Sequence, residues 1–210
     1  MIAITDYGMG NLGSVKKALD YLGAPCRITR DPQQLRQASH VILPGVGAFA
    51  DAMDELERRG LVEPLKEAAN QGKPFLGICL GMQMLFEGSS EGEPRRGLAL
   101  LPGRLEALTP KPGVKVPHMG WNKLTFPRPH PLFAGLPADP AVYFVHTYAF
   151  LDTQAPWAAA LSDPGAPFVA AIARGNLMAT QFHPEKSGAV GLKILANFAA
   201  MTEKEGPYGL

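Results

Sequence analysis

The spacing of apolar and polar positions changes character along this chain. Ile2-Ala3-Ile4 is a short apolar run that ends at Thr5-Asp6 and a glycine-bearing turn, Tyr7-Gly8-Met9-Gly10. Val15, Ala18, Leu19 and Leu22 then recur at i, i+3, i+4 and i+7, one face of a helix closed by Gly23. Cys26 to Thr29 and His40 to Leu43 read as further strands. Pro44-Gly45-Val46-Gly47 breaks the latter and opens a helix carrying Ala48, Ala52, Met53 and Leu56. Leu61 to Asn70 has helical spacing, Pro74 to Ile78 reads as the central strand, and Leu80 to Phe86 as the helix after it. Strands alternating with helices predict a parallel sheet covered on both faces. Ligands in such folds bind beyond the carboxyl ends of the strands, where these glycine turns gather.

From about Gly97 the rhythm shifts to shorter, proline-punctuated strand signals. They cover Gly103 to Leu108, Tyr143 to Phe150, Trp157 to Leu161, Phe168 to Ala173 and Leu177 to Gln181, with a turn at Arg174-Gly175-Asn176. These predict an antiparallel extension of the same sheet. A last helix runs from about Ala189 to Ala200. The expected fold is α/β: a single open mixed sheet, its mostly parallel core flanked by helices, in one domain over residues 1–210.

Composition narrows the function classes. A hydrophobic share of 46% and a net charge of +1 describe an ordinary globular chain, with no electrostatic reason to expect nucleic acid or a membrane surface as partner. The apolar runs are too short to cross a bilayer. The N-terminus reads as a strand and not as a signal peptide, so the expected location is cytoplasmic. Two cysteines, Cys26 and Cys79, have no second ligand residue nearby in sequence. That spacing suggests neither a disulfide framework nor a metal site. Cys26 reads as a strand residue packing as a small hydrophobe.

Cys79 is different. Gly77-Ile78-Cys79-Leu80-Gly81 follows an apolar strand and opens a helix, which delivers a thiol onto a tight turn beside helix N-terminal amides. Such surroundings lower a thiol pKa from about 8.5 to roughly 3.5–7.5. By itself a Gly-x-Cys-x-Gly match is a weak signal, since a cysteine before a helix is more often a small core residue. His183-Pro184-Glu185 shifts the balance. In an extended segment residues two apart point to one side, so Glu185 can orient the His183 imidazole as base for the thiol. The plain alternative for that pair is a strand-end histidine beside a solvated glutamate. An oxyanion needs donors: the Leu80 amide is one candidate, and Val46 or Gly47 in the second glycine turn the other.

These residues resemble the class I glutamine amidotransferases. The resemblance rests on Asp6 to Leu12, Leu43 to Phe49, Gly77 to Gln83, Pro117 to Asn122, Tyr143 to Tyr148 and Ala179 to Ser187, in the family's order. Met82, where a histidine is common in the wider family, brings the chain nearer to the glutaminase subunits of imidazole glycerol phosphate synthase. The resemblance implies hydrolysis of glutamine to glutamate and ammonia, with no metal or organic cofactor. It makes Cys79 the nucleophile, His183 the acid–base group and Glu185 its orienter. It assigns substrate contacts to Gly47, Gln83, Glu91 and the backbone around His146, Thr147 and Tyr148. It also implies a heterodimer with a (β/α)8-barrel cyclase subunit in histidine biosynthesis, docked near Asn11, His118, Trp121 and Lys186. Three other readings fit part of the pattern: a glutaminase of another pathway, a cysteine hydrolase of the same architecture, and a non-catalytic subunit in which Cys79 is structural.

Overall fold

The computed structural model describes residues 1–111 and 115–202. The first half is built from β1 (Ile2–Thr5), α1 (Leu12–Tyr21), β2 (Cys26–Thr29), α2 (Pro32–Gln37), β3 (His40–Gly45), α3 (Phe49–Arg58), α4 (Val62–Asn70), β4 (Phe75–Cys79) and α5 (Leu80–Gln83). The short strands β5 (Gly88–Ser89) and β6 (Arg104–Ala107) come next, then β7 (His118–Lys123), β8 (Ala141–His146) and β9 (Tyr148–Ala149). The chain closes with β10 (Ala158–Ser162), β11 (Phe168–Arg174), β12 (Leu177–Thr180) and α6 (Gly188–Ala199).

Seven strands form the main sheet in the order β10-β11-β12-β4-β3-β1-β2. β2, β1, β3, β4 and β12 run parallel to one another, while β11 and β10 extend the sheet antiparallel beyond β12. Period-two alternation divides the core between the two faces. Val41, Leu43, Phe75 and Leu177 point to one side, where Leu35, Phe49, Met53, Leu56 and Leu65 of α2, α3 and α4 pack. Ile2, Ile4, Ile42, Leu76 and Ile78 point to the other, against Val15, Leu19, Ile194, Leu195 and Phe198 of α1 and α6. No helix among the described residues is long and apolar enough to cross a membrane.

The structure departs from the expected elements in four places. β3 runs on through Pro44 to Gly45 instead of breaking at the proline. At that point the strand is paired only with β4, since β1 reaches no further than Ile42, and a residue without an N–H is tolerated where one side of the ladder is open. α5 stops after four residues. The carbonyls of Met84, Leu85 and Phe86 accept instead from the amides of Leu98, Leu100 and Ala99, so a returning loop takes the helix's place. α2 has only one buried apolar residue, Leu35, and no amphipathic period to reveal it. Its start is marked by Asp31, which accepts from the Gln33 amide, and by Pro32 in the first turn. Finally, the sheet is not single. β6 lies in a three-stranded sheet with β5 and β9, and β7 pairs with β8 as a separate antiparallel ribbon.

Candidate active site

The carboxyl ends of β1, β3 and β4 bring their glycine turns together. Gly45 pairs with Cys79 in the sheet register. Cys79 ends β4 with φ 55° and ψ −109°, a left-handed conformation that costs a non-glycine residue about 1–3 kcal/mol. Two glycines permit it. A Cβ on Gly81 would stand 1.7 Å from the Leu43 carbonyl oxygen, and one on Gly77 would stand 2.7 Å from the Gly81 oxygen. The sharp turn projects the thiol into a cleft of about 260 Å³ while Leu80 begins α5.

The cleft is lined by Cys79 and His183 together with Val46, Gly47, Leu80, Gln83, Glu91, His146, Thr147 and Tyr148. Every residue that the sequence nominated for oxyanion or substrate contact is therefore on one wall or another of a single cavity. Pro117 and Val145 line it as well, and neither was nominated. His183 lies just beyond β12, and its Nδ1 is 2.9 Å from Oε1 of Glu185. Burial alone would push this imidazole down. The Cys79 sulfur and the Glu185 carboxylate more than offset that and raise it to about 9. Nε2 of His183 has no hydrogen-bond partner among the described residues, which leaves it free for the thiol or a substrate.

The thiol has two further neighbours. It lies 3.8 Å from the Val145 carbonyl, and Gln181 Nε2 donates to it at 3.8 Å. Gln181 is a residue that sequence reasoning missed. Its position two before His183 was the available signal, since that spacing favours one common side. Gln83 Nε2 donates to the Tyr148 carbonyl at 3.0 Å and to Gln181 Oε1 at 3.2 Å. Glu91 accepts from the Phe49 amide at 3.0 Å, so it caps α3 while its carboxylate faces the cleft.

The family profile of Glutamine amidotransferase class-I matches residues 3–201. This chain belongs to the class I glutamine amidotransferases. Among them it is 51% identical over 208 residues to "Imidazole glycerol phosphate synthase subunit HisH" of Moorella thermoacetica, covering 99% of this chain and 98% of that one. The protein of the same name from Synechococcus elongatus is 53% identical over 199 residues, 94% of this chain and 91% of its own. The class I amidotransferase fold is also seen in a solved structure titled "Structure of PurLQS from Thermotoga maritima", with TM-score 0.74, 18% identity and coverage of 94% and 96%.

The residues expected at a partner face of this amidotransferase are not all on the surface. Trp121 is 57% exposed and Lys186 is exposed, its ammonium 6.0 Å above the Tyr143 ring. Asn11 is half-buried where α1 begins. His118, expected to lie beside Trp121, is only 5% exposed. Alternation along β7 turns Met119 and Trp121 outward and His118 inward, against Phe144 and Phe168.

Proposed function

We propose that this chain hydrolyses the side-chain amide of glutamine and hands the ammonia to a synthase partner. The observation that carries the reading is the meeting of Cys79, at a strained strand-to-helix turn, with the buried His183–Glu185 pair in one cleft. In this reading the Cys79 sulfur, its proton passed to His183, attacks the amide carbon and the carbonyl oxygen becomes an oxyanion. Amides at Leu80 and at Val46 or Gly47 stabilise that charge; one such donor is worth about a hundred- to a thousandfold in rate. The imidazolium returns the proton to the leaving nitrogen, releasing ammonia and a thioester. Water, deprotonated by His183, then attacks the thioester and frees glutamate and the thiol. Glu185 holds the ring with Nδ1–H toward itself, so Nε2 does the proton transfer. Glu91, Gln83 and the segment His146 to Tyr148, where β8 passes into β9, hold the amino-acid end.

Ammonia set free in neutral water becomes ammonium, which is not a nucleophile, so a dedicated glutaminase serves synthesis only through a second active site. The relatives' name, a synthase subunit, supports such a partner. We infer a heterodimer with a (β/α)8-barrel cyclase that makes imidazole glycerol phosphate in cytoplasmic histidine biosynthesis. Trp121, Asn11 and Lys186 are its candidate contacts on this chain, which acts as one amidotransferase domain.

The test is glutamate release by the purified chain, with and without the cyclase and its nucleotide ligand, beside Cys79→Ala. Stimulation that the substitution abolishes is the expected outcome. Activity that does not depend on Cys79 would overturn the reading.

A further inference from the structure

A run of hydrogen-bonded polar groups leads away from Cys79 to the inward face of β7, and it contains two histidines whose rings take no part in the chemical steps proposed above. Asn122 Nδ2 lies 2.7 Å from His118 Nε2, and His118 Nδ1 lies 2.9 Å from His146 Nε2. His146 Nδ1 in turn lies 3.0 Å from the Tyr148 carbonyl oxygen, the same atom to which Gln83 donates. Gln83 then meets Gln181, and Gln181 meets the sulfur.

One atom sets the direction of every bond in this run. The Tyr148 carbonyl can only accept, so His146 must carry its proton on Nδ1. Burial pushes both His146 and His118 below the ordinary histidine value, so both rings are neutral near pH 7. A neutral His146 with Nδ1–H has Nε2 as acceptor, which requires His118 to donate from its own Nδ1. Nε2 of His118 is then the acceptor for the Asn122 amide. On the other arm the Tyr148 oxygen requires the nitrogen end of Gln83 to face it. The second hydrogen of that nitrogen goes to Gln181 Oε1, and this turns the Gln181 nitrogen toward Cys79. No group in the run is free to reverse without leaving a buried donor or acceptor unpaired, at a cost of about 1–3 kcal/mol.

We propose that this run is a directional positioning relay, in which Gln181 donates to the Cys79 sulfur and His118 and His146 transmit the placement of β7 to that donor. β7 carries the exposed Met119 and Trp121 on its other side, so a protein docked there can shift the relay without touching the cleft. The proposal rests on reading Cys79 as the nucleophile. It identifies His118 and His146 as positioning residues and Gln181 as the group that touches the reacting atom.

Two measurements test it on the full chain. The first is long-range proton–nitrogen NMR of the histidine rings at neutral pH. His118 and His146 are both expected as Nδ1–H tautomers, opposite to the form free histidine favours; an Nε2–H form at either would overturn the relay. The second is the rate of iodoacetamide alkylation of Cys79 at neutral pH in a Cys26→Ser background. Gln181→Met removes the donor to sulfur and should slow alkylation about three- to tenfold. His118→Gln keeps the acceptor near Nε2 but loses the Nδ1 donor, whereas His118→Asn keeps a donor in the Nδ1 place. The first should slow alkylation about threefold and the second should recover most of that loss, on the scale of one neutral hydrogen bond. Equal effects of the two substitutions, as expected from mere packing, would overturn the proposal. Should the alkylation and tautomer results hold while no glutamine is hydrolysed, the relay stands and the proposed function falls.

Discussion

Oε1 of Glu185 lies 2.9 Å from Nδ1 of His183, and the two side chains are 1% and 2% exposed. A contact so shielded from water holds both the orientation and the charge of the ring. Glu185→Gln keeps the size and removes the charge. The imidazole should then fall from about 9, and the basic limb of the glutaminase pH profile should move down with it. The rate at neutral pH should drop by about 10²–10⁴-fold. An unmoved basic limb in the measured profile would mean that Glu185 does not set the His183 charge.

His183 and His146 make opposite demands on stability. His183 is raised to about 9, so it favours the folded chain fully below the ordinary value near 6.5 and loses that contribution as pH rises through 9. His146 is pushed down to about 3, first by burial, so the unfolded chain binds a proton that the folded chain refuses. Its contribution is present above pH 6.5 and is lost as pH falls toward 3. Urea midpoints should therefore decline from pH 7 to pH 5, and His146→Asn should flatten that decline. A wild-type midpoint constant over this range would show that His146 titrates normally.

Gly81→Ala should be among the most damaging small substitutions in the chain. The new carbon cannot stand 1.7 Å from the Leu43 oxygen, so β3 and β4 must separate or α5 must shift. A loss of about 3 kcal/mol or more is expected from denaturant unfolding, with Cys79 alkylation altered as well. Gly13→Ala is the control. It sits exposed in the first turn of α1 with nothing within 4 Å of a new carbon, and should stabilise by up to about 1 kcal/mol.

Glu91 tests the substrate end of the cleft. Glu91→Gln keeps an oxygen for the Phe49 amide but removes a negative charge suited to the ammonium of the substrate's amino-acid end. The KM for glutamine should rise about tenfold or more, with kcat and thermal stability nearly unchanged. Equal KM values for the two proteins would leave Glu91 as a helix cap alone.

The sequence was most legible where a local rule and the final structure make the same demand. Gly77 and Gly81 around Cys79 announce a turn that only glycine permits, and the turn is there with a left-handed cysteine at its centre. The alternation of strands and helices in the first half carries directly into the two-faced sheet. Legibility failed where a distant segment competes for local hydrogen bonds. α5 has seven residues of helical pattern but keeps four, because the loop at Leu98 to Leu101 takes the carbonyls that a longer helix would use. Gln181 has only its spacing two before His183 as a local signal, and its importance comes from what β4 and α5 place opposite it.

By itself the sequence determined the strand–helix alternation of the first half, the parallel character of the sheet's core and the residue types able to do nucleophilic chemistry, since these follow from side-chain period, glycine placement and charge. Only the tertiary structure decided that His118 turns inward while Trp121 faces out, and that Gln83, Gln181, His146 and Cys79 join in one hydrogen-bonded run. Those relations join residues as much as 102 positions apart. Buried donors and acceptors must find partners wherever the packed sheet brings them, and no local pattern can state that requirement.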